Sequence, residues 1–219
     1  MPSIFVFDAY GTLFDVHAAI GRFRERAGPD ADRMSDLWRT KQLEYSWTLT
    51  LAGHYMDFWA LTERALDYAL ARVPSVPKSL KADLLGAYFT LDAFPDARSA
   101  LKALKAAGHK TGILSNGSPA MLRGAVDNAG IGGDLDGVLS VDSLKMFKPR
   151  PEVYALVTDH FRCAPKDVTF VSSNRWDVMA SVSVGFRGVW VNRAMMPDEY
   201  LDFAPERTVP DLSSLAAIR

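Results

Sequence analysis

The chain has 219 residues, enough for one large domain or for a core with a smaller inserted domain. Its formal net charge of -1 at pH 7 disfavours nucleic acid and acidic membrane surfaces as partners. The single cysteine, Cys163, excludes an internal disulfide and suits a reducing, cytoplasmic compartment. Asp8 interrupts the first apolar run and no basic region precedes it, so we expect neither a signal peptide nor a membrane span.

The first predicted element is a short strand from Ile4 to Phe7, apolar at every position and therefore buried on both faces. Asp8 follows it directly, and Gly11 then breaks the run. Open α/β sheets bind their ligands at the carboxyl ends of such strands. A buried carboxylate there needs a cation or hydrogen-bond donors, although an aspartate before a glycine turn is also ordinary turn chemistry.

Residues 16–91 carry helical patterns and no clear strand, so we interpret residues 15–92 as a helical cap inserted after the first strand. This segment is dense in aromatic side chains: Trp38, Tyr45, Trp47, Tyr55, Phe58 and Trp59. For most of them, packing between helices or a dimer interface is the better interpretation.

Strands and helices alternate again from Phe94, where Pro95 opens a helix that Gly108 closes. Strands are predicted near residues 110–114, 137–141, 167–171 and 188–191, the last being the final strand. This alternation predicts an α/β fold with a doubly wound, Rossmann-like parallel sheet. Its core would comprise residues 1–14 and 93–219.

Polar residues follow three of these later strands. Ser115 and Asn116 precede a helix that Ser118 caps, a position that favours an anion, although a capping motif alone would explain it. Lys148 stands before Pro149 in an extended loop, where it either faces Asp8 or is a solvated charge. Because the carboxyl ends of parallel strands converge, we expect Lys148 to lie opposite Asp8.

The fourth loop contains Ser172, Ser173 and Asn174, followed by Asp177. A second carboxylate at this position could hold or activate a water, or could simply complement the dipole of the next helix. Tyr154, in the first turn of the preceding helix, is close enough to share the site or to serve in packing.

Four motifs together resemble the haloacid dehalogenase superfamily over essentially the whole chain: Asp8-Ala9-Tyr10-Gly11-Thr12, Ser115-Asn116-Gly117, Lys148-Pro149 and Ser172-Ser173-Asn174-Arg175-Trp176-Asp177. Most members are magnesium-dependent phosphatases with a second aspartate two residues after the nucleophile and a Gly-Asp pair in the fourth motif. Here Tyr10 and Ser172-Ser173 occupy those positions. The resemblance therefore implies a site without a metal or other cofactor.

Tyr10, the Ser-Ser-Asn-x-Trp-Asp run and the cap stretch Trp38-Arg39-Thr40-Lys41-Gln42-Leu43-Glu44-Tyr45 look like the L-2-haloacid dehalogenases. That family implies hydrolysis of short L-2-haloalkanoic acids to D-2-hydroxyalkanoic acids, through an ester on Asp8 and with inversion at C2. It also implies a homodimer. A magnesium phosphatase of the same fold and a non-catalytic binding protein are the alternatives.

The resemblance also implies a role for each site residue. Thr12 and Ser172 would orient Asp8, and Lys148, with Tyr154 nearby, would balance its charge. The implied catalytic set is Asp8, Thr12, Arg39, Ser115, Lys148, Tyr154, Ser172, Asn174 and Asp177.

Within the catalytic set, Asn174 and Asp177 would position the hydrolytic water. Ser115 would bind the substrate carboxylate, and Arg39 and Asn116 would receive the halide. The implied substrate- and halide-binding set is Ala9, Tyr10, Arg39, Leu43, Phe58, Ser115, Asn116 and Trp176. Without the resemblance, the pattern alone favours a solvated helix charge for Arg39.

Overall fold

A parallel six-stranded sheet forms the centre of the computed structural model, which describes residues 3–215. The strands are β1 (Ile4–Phe7), β2 (Lys110–Ser115), β3 (Gly137–Ser140), β4 (Val168–Ser172), β5 (Arg187–Val191) and β6 (Arg207–Val209). Their order across the sheet is β3-β2-β1-β4-β5-β6, and every neighbouring pair is parallel. The predicted doubly wound α/β fold is confirmed.

β1 lies in the middle of the sheet because all four of its side chains are buried. Phe7 pairs with Ile113 on β2 and with Val171 on β4. Asp8, the next residue, therefore stands beside the carboxyl ends of both neighbours, and its backbone N–H donates to the Val171 carbonyl at 2.9 Å.

Within residues 3–215, helices but no strand lie between β1 and β2. These helices are α1 (Ala18–Gly21), α2 (Arg24–Ala27), α3 (Ala31–Leu51), α4 (Phe58–Arg72) and α5 (Lys81–Phe89), and residues 18–89 are called the helical insertion below. Asp57 caps α4 by accepting the backbone N–H groups of Trp59 and Ala60. The division into a core and a cap domain with limits at 14/15 and 92/93 stays a prediction.

The remaining helices cover the sheet. They are α6 (Ala97–Ala106), α7 (Pro119–Ala129), α8 (Pro151–Phe161) and α9 (Arg175–Ser183). Ser118 caps α7 and Pro119 is its first residue, as the sequence predicts. α6 begins at Ala97, two residues after Pro95. No helix in residues 3–215 is long and apolar enough to cross a membrane.

The sequence prediction is wrong about the last strand, because β6 extends the sheet beyond β5. β6 has only three residues, and Val209 is its one buried side chain. A run this short carries no readable alternation of apolar and polar residues, and fifteen residues, with one short 3-10 helix at Leu201–Phe203, separate it from β5.

Candidate active site

The polar residues that follow β1, β2 and β4 meet at one edge of the sheet, together with the loop that precedes α8. Gly11 allows the chain to turn there, since its φ of 96° is strained for other residues. Gly117 allows close packing, because a Cβ at that position would lie 2.7 Å from Cε2 of Tyr10. The predicted convergence of the four loops is therefore confirmed in the fold.

Asp8 is 6% exposed, and both of its carboxylate oxygens are hydrogen-bonded. Oδ2 accepts from Thr12 Oγ1 at 3.1 Å and from Asn174 Nδ2 at 2.8 Å. Oδ1 accepts from Lys148 Nζ at 3.2 Å. Since its N–H is also bonded to β4, the carboxylate has a fixed position at the end of β1.

Lys148 is only 1% exposed, and its ammonium bridges two carboxylates. Nζ lies 3.2 Å from Asp8 Oδ1 and 2.8 Å from Asp177 Oδ2, and it lies 5.0 Å from the centroid of the Phe170 ring. A buried lysine of this kind is tolerated when paired charges replace its hydration. Two carboxylates share one ammonium, so the cluster holds an excess of negative charge.

Asp177 bears the consequence of this excess. Burial raises the pKa of Asp177 from 3.8 to about 6; Lys148 acts against this shift, and the nearby charge of Asp8 adds to it. Tyr154 donates its hydroxyl to Asp177 Oδ1 at 2.5 Å, and Ser172 donates to Oδ2 at 3.3 Å. Burial, and then the Asp177 charge, raise the pKa of Tyr154 well above its usual value, so it is a proton donor here.

The helical insertion supplies the opposite wall through α3. Arg39 is half-buried, and its Nη2 donates to the backbone carbonyl of Tyr10 at 3.0 Å. The position of α3 is fixed against α4 by its neighbours on the helix: Trp38 Nε1 donates to the carbonyl of Thr62 at 2.9 Å, and Gln42 Nε2 donates to Thr62 Oγ1 at 3.0 Å.

Tyr10 joins the two walls. Its ring stacks on Tyr88 of α5, with centroids 5.8 Å apart and an interplanar angle of 9°. Burial raises the pKa of Tyr10 well above its usual value, so the phenol is neutral. Its hydroxyl is buried and makes no hydrogen bond within the part of the chain that the structure describes.

These side chains enclose a cavity of about 10 Å³, comparable to the space that one water needs. Its lining is Asp8, Tyr10, Arg39, Leu43, Phe58, Ser115, Asn116 and Trp176. The lining combines polar side chains, among them Arg39, Ser115 and Asn116, with apolar ones, among them Leu43, Phe58 and Trp176. Such a combination suits a small acid with a polar head and a short carbon chain.

The profile of the haloacid dehalogenase-like hydrolase family matches residues 2–185 of the chain. The (S)-2-haloacid dehalogenase 1 of Pseudomonas sp. (strain CBS-3) is 49% identical over 214 residues, which cover 97% of this chain and 93% of the relative. The chain belongs to the haloacid dehalogenase-like hydrolases. A second relative, (S)-2-haloacid dehalogenase 4A of Burkholderia cepacia, is 46% identical and covers 96% of this chain and 91% of its own length.

Among solved structures of haloacid dehalogenases, that of the L-2-haloacid dehalogenase from Xanthobacter autotrophicus with covalently bound chloropropionic acid superimposes with a TM-score of 0.90. It is 38% identical to this chain, and the match covers 100% of this chain and 98% of that one. The likeness therefore extends over both the sheet and the helical insertion.

The site residues do not fit the magnesium ion that many haloacid dehalogenase relatives use. Among the described residues, the two carboxylates at the site, Asp8 and Asp177, are both bonded to the Lys148 ammonium. Mg²⁺ prefers six oxygen ligands, and an ammonium between the two carboxylates would repel it.

One predicted contact differs in its partner: Ser172 is predicted to orient Asp8, but its hydroxyl donates to Asp177. Asn174 donates to Asp8 directly, and its role in positioning water stays a prediction. Tyr154 bonds to Asp177, which is the second carboxylate on Lys148.

Ala9 belongs to the predicted binding set but not to the cavity lining. It is fully buried beneath the turn, and its carbonyl accepts the N–H groups of Thr12, Leu13 and Phe14. Its position shapes the turn that carries Tyr10, because the chain reverses around that carbonyl.

Sequence reasoning missed two residues beside the cavity. Trp47 contacts Trp176 edge to face, with centroids 5.4 Å apart, and Tyr88 supports Tyr10 from α5. Trp47 could have been found, because Arg39, Leu43 and Trp47 are spaced four residues apart and so share one face of α3. Nothing in the local pattern distinguishes Tyr88 from a packing residue.

Proposed function

We propose that this chain hydrolyses short L-2-haloalkanoic acids to D-2-hydroxyalkanoic acids, with inversion at C2 and through an ester on Asp8. The observation that carries the proposal is the fully bonded Asp8 carboxylate, paired with the buried Lys148, in the wall of a small and partly apolar cavity. The names of the relatives agree with it: they are (S)-2-haloacid dehalogenases, and one holds chloropropionic acid covalently.

In the first step, an oxygen of Asp8 forms a bond to C2 while the bond from C2 to the halogen breaks. The halide leaves with the bonding electron pair. Thr12, Asn174 and Lys148 hold the carboxylate in the orientation for attack. Because the attack comes from the side opposite the halide, the configuration at C2 inverts.

The polar and the apolar residues of the cavity lining together orient the substrate. Ser115 binds the substrate carboxylate, and Arg39 and Asn116 receive the departing halide. The side chain of Asn116 is already oriented, because its Oδ1 accepts a hydrogen bond from the backbone N–H of Lys148 at 3.0 Å. Its Nδ2 takes no part in that bond and can donate to the halide. Leu43, Phe58 and Trp176 line the side that takes the carbon chain and exclude bulk water.

In the second step, water attacks the carbonyl carbon of the ester, which breaks the bond from that carbon to the ester oxygen. Asp177 takes one proton from the water, and the water's other proton ends on the released alkoxide, so that Asp8 returns as a carboxylate and the product as an alcohol. An ionised Asp177 beside Lys148 suits this role, with Tyr154 and Ser172 holding it in place. Asp8 emerges with one oxygen from the water.

The test is halide release from each enantiomer of 2-chloropropanoate in the presence of EDTA. We expect release from the L enantiomer, and a mass increase on Asp8 after a single turnover in heavy-oxygen water. Asp8→Asn should lower turnover by roughly four orders of magnitude or more, because an amide does not displace halide. Asp36→Asn, an exposed carboxylate on α3, is the matched control.

Loss of turnover on chelation, with hydrolysis of a phosphate ester when magnesium is present, would support the phosphatase alternative instead. Binding of the acid with no halide release and no Asp8 adduct would support a non-catalytic binding protein.

We also propose that the protein is a cytoplasmic homodimer, which rests on the resemblance and on the single half-buried cysteine, Cys163. Sedimentation analysis at micromolar concentration tests the first point: a monomer throughout would contradict it. Fractionation of the source cells tests the second.

A further inference from the structure

A second cavity lies next to the catalytic one. It has a volume of about 350 Å³, within the range of small-molecule sites. We call it the vestibule. Its walls come from the last turns of α3, the loop before α8, α9 and the segment after β5, and they include Trp47, Leu51, Pro149, Met179 and Tyr200.

One side chain, Trp176, lines both cavities. Trp47 meets it edge to face, at 5.4 Å between centroids and 82° between planes, so the two indoles form the partition. Trp47 is only half-buried, yet its Nε1 makes no hydrogen bond within residues 3–215. Movement of the Trp47 ring therefore breaks no hydrogen bond of its indole within the described residues.

The catalytic cavity borders this partition at Trp176. Under the proposed function, Arg39 and Ser115 bind the halide and the carboxylate, whereas Trp176 is one of the apolar lining residues that take the carbon chain. At about 10 Å³ the cavity holds no more than about one water, so the carbon atoms of a longer chain need space beyond its lining. A longer chain that leaves C2 along the apolar side therefore meets Trp176 and then the vestibule.

We propose that the vestibule is an alkyl-chain subsite, which takes the carbon atoms beyond C3 of longer 2-haloalkanoic acids past the Trp47–Trp176 partition. This inference rests on the proposed function and specifies its substrate class as acids with an extended unbranched chain. The apolar side chains of Met179, Leu51 and Trp47 provide the surface that such a chain needs. Each methylene buried there contributes roughly 0.8 kcal/mol, equivalent to about fourfold in kcat/KM.

The test compares L-2-bromoalkanoates of increasing chain length, from propanoate to octanoate, by initial rates of bromide release. For the wild-type chain, we expect kcat/KM to hold or rise beyond the four-carbon acid. Met179→Phe fills the vestibule, and Leu51→Trp blocks it from a position that is 82% exposed and so tolerates the change. Both variants should lower kcat/KM for the six-carbon and longer acids by about tenfold or more and change the propanoate value by less than about twofold.

Leu201→Trp is the matched control, because Leu201 is 77% exposed and is not part of the vestibule lining. It should leave the whole series unchanged. A wild-type rate that falls steeply with every carbon beyond C3 would overturn the inference while leaving the proposed function intact. Equal losses on propanoate and hexanoate in both vestibule variants would also overturn it. Absence of bromide release even from bromopropanoate would instead refute the proposed function.

Discussion

The two walls of the catalytic cavity differ in how their polar groups are used. On the sheet side, each oxygen of Asp8 and of Asp177 has a donor, and Lys148 serves both carboxylates. On the side of the helical insertion, Arg39 donates to the backbone carbonyl of Tyr10 and lies within hydrogen-bonding reach of the Tyr88 hydroxyl. The Tyr10 hydroxyl between the walls makes none within the described residues.

This difference matches two chemical tasks, namely attack by the nucleophile and stabilisation of the departing halide. Covalent attack needs a nucleophile that is already fixed, because each misplaced degree of freedom lowers the rate. A departing halide needs donors that are not yet committed, since a donor already satisfied by the protein gains little when charge develops. The sheet side thus supplies preorganised chemistry, and the insertion supplies donors with spare capacity.

Arg39→Ala tests the comparison most strongly. We expect kcat to fall by about a hundredfold or more, with a smaller change in KM, because the guanidinium acts mainly as charge develops on the halide. Arg39→Lys should restore part of the rate. The measurement is steady-state halide release from L-2-chloropropanoate. Arg33→Ala, an exposed arginine on the same helix, is the control, and an unchanged kcat in Arg39→Ala would remove Arg39 from the halide site.

The pH dependence tests the sheet side. The pKa of Asp177 is raised to about 6, so ester hydrolysis, which needs the ionised form, should slow as pH falls through that value. Below it, we expect the rate to drop about tenfold per pH unit. Rapid-quench measurement of the Asp8 ester should show the ester accumulating at low pH. A rate that falls at low pH without accumulation of the ester would instead assign the fall to the first step, the displacement of halide.

Asp177 also affects the stability of the fold, but there its contribution falls as pH rises, whereas the rate of ester hydrolysis rises. Between pH 3.8 and about 6 the folded chain binds more protons at Asp177 than the unfolded chain does, so this group's contribution to the free energy of unfolding falls as pH rises. In Asp177→Asn this contribution is absent. The stability of the variant relative to wild type should therefore improve, by up to about 3 kcal/mol, from about pH 4 to about pH 7 in urea unfolding. A difference independent of pH would contradict the raised pKa.

The two walls also differ in how much of them the sequence predicts. Asp8, Ser115 and Lys148 follow strands or precede a helix, and a parallel sheet brings such positions to one edge. Arg39 came only from the family resemblance, because a single arginine on an amphipathic helix has no local mark of function. How α3 lies across the sheet edge depends on tertiary packing between distant segments, which periodicity does not encode.

Finer contacts were beyond the sequence for a related reason. Whether the Ser172 hydroxyl bonds to Asp8 or to Asp177 depends on side-chain geometry at the end of β4, which the order of residues does not specify. The strand β6 was missed because a single buried valine carries no period. The pattern therefore predicts the longer elements and where they meet, and it leaves short edge strands and hydrogen-bond partners undetermined.

Tyr88 gives the smallest and most specific test of the difference between the walls. Its hydroxyl donates to Gln42 Oε1 at 3.2 Å, and Arg39 lies close enough to lower the pKa of Tyr88, which burial raises. We interpret Tyr88 as a positioning residue for Arg39. Tyr88→Phe should lower kcat by about threefold to tenfold and leave KM nearly unchanged, since the ring that stacks on Tyr10 is kept.

A merely structural role for Tyr88 would also lower activity, so the deciding measurement is a double-mutant cycle with Arg39→Ala. If Tyr88 acts through Arg39, then Tyr88→Phe should have almost no further effect on kcat in the Arg39→Ala background. Thr62→Ser, which keeps the hydroxyl that Gln42 Nε2 contacts, is the control for packing between the helices. Additive losses would place Tyr88 among the packing residues and would contradict its role in positioning Arg39.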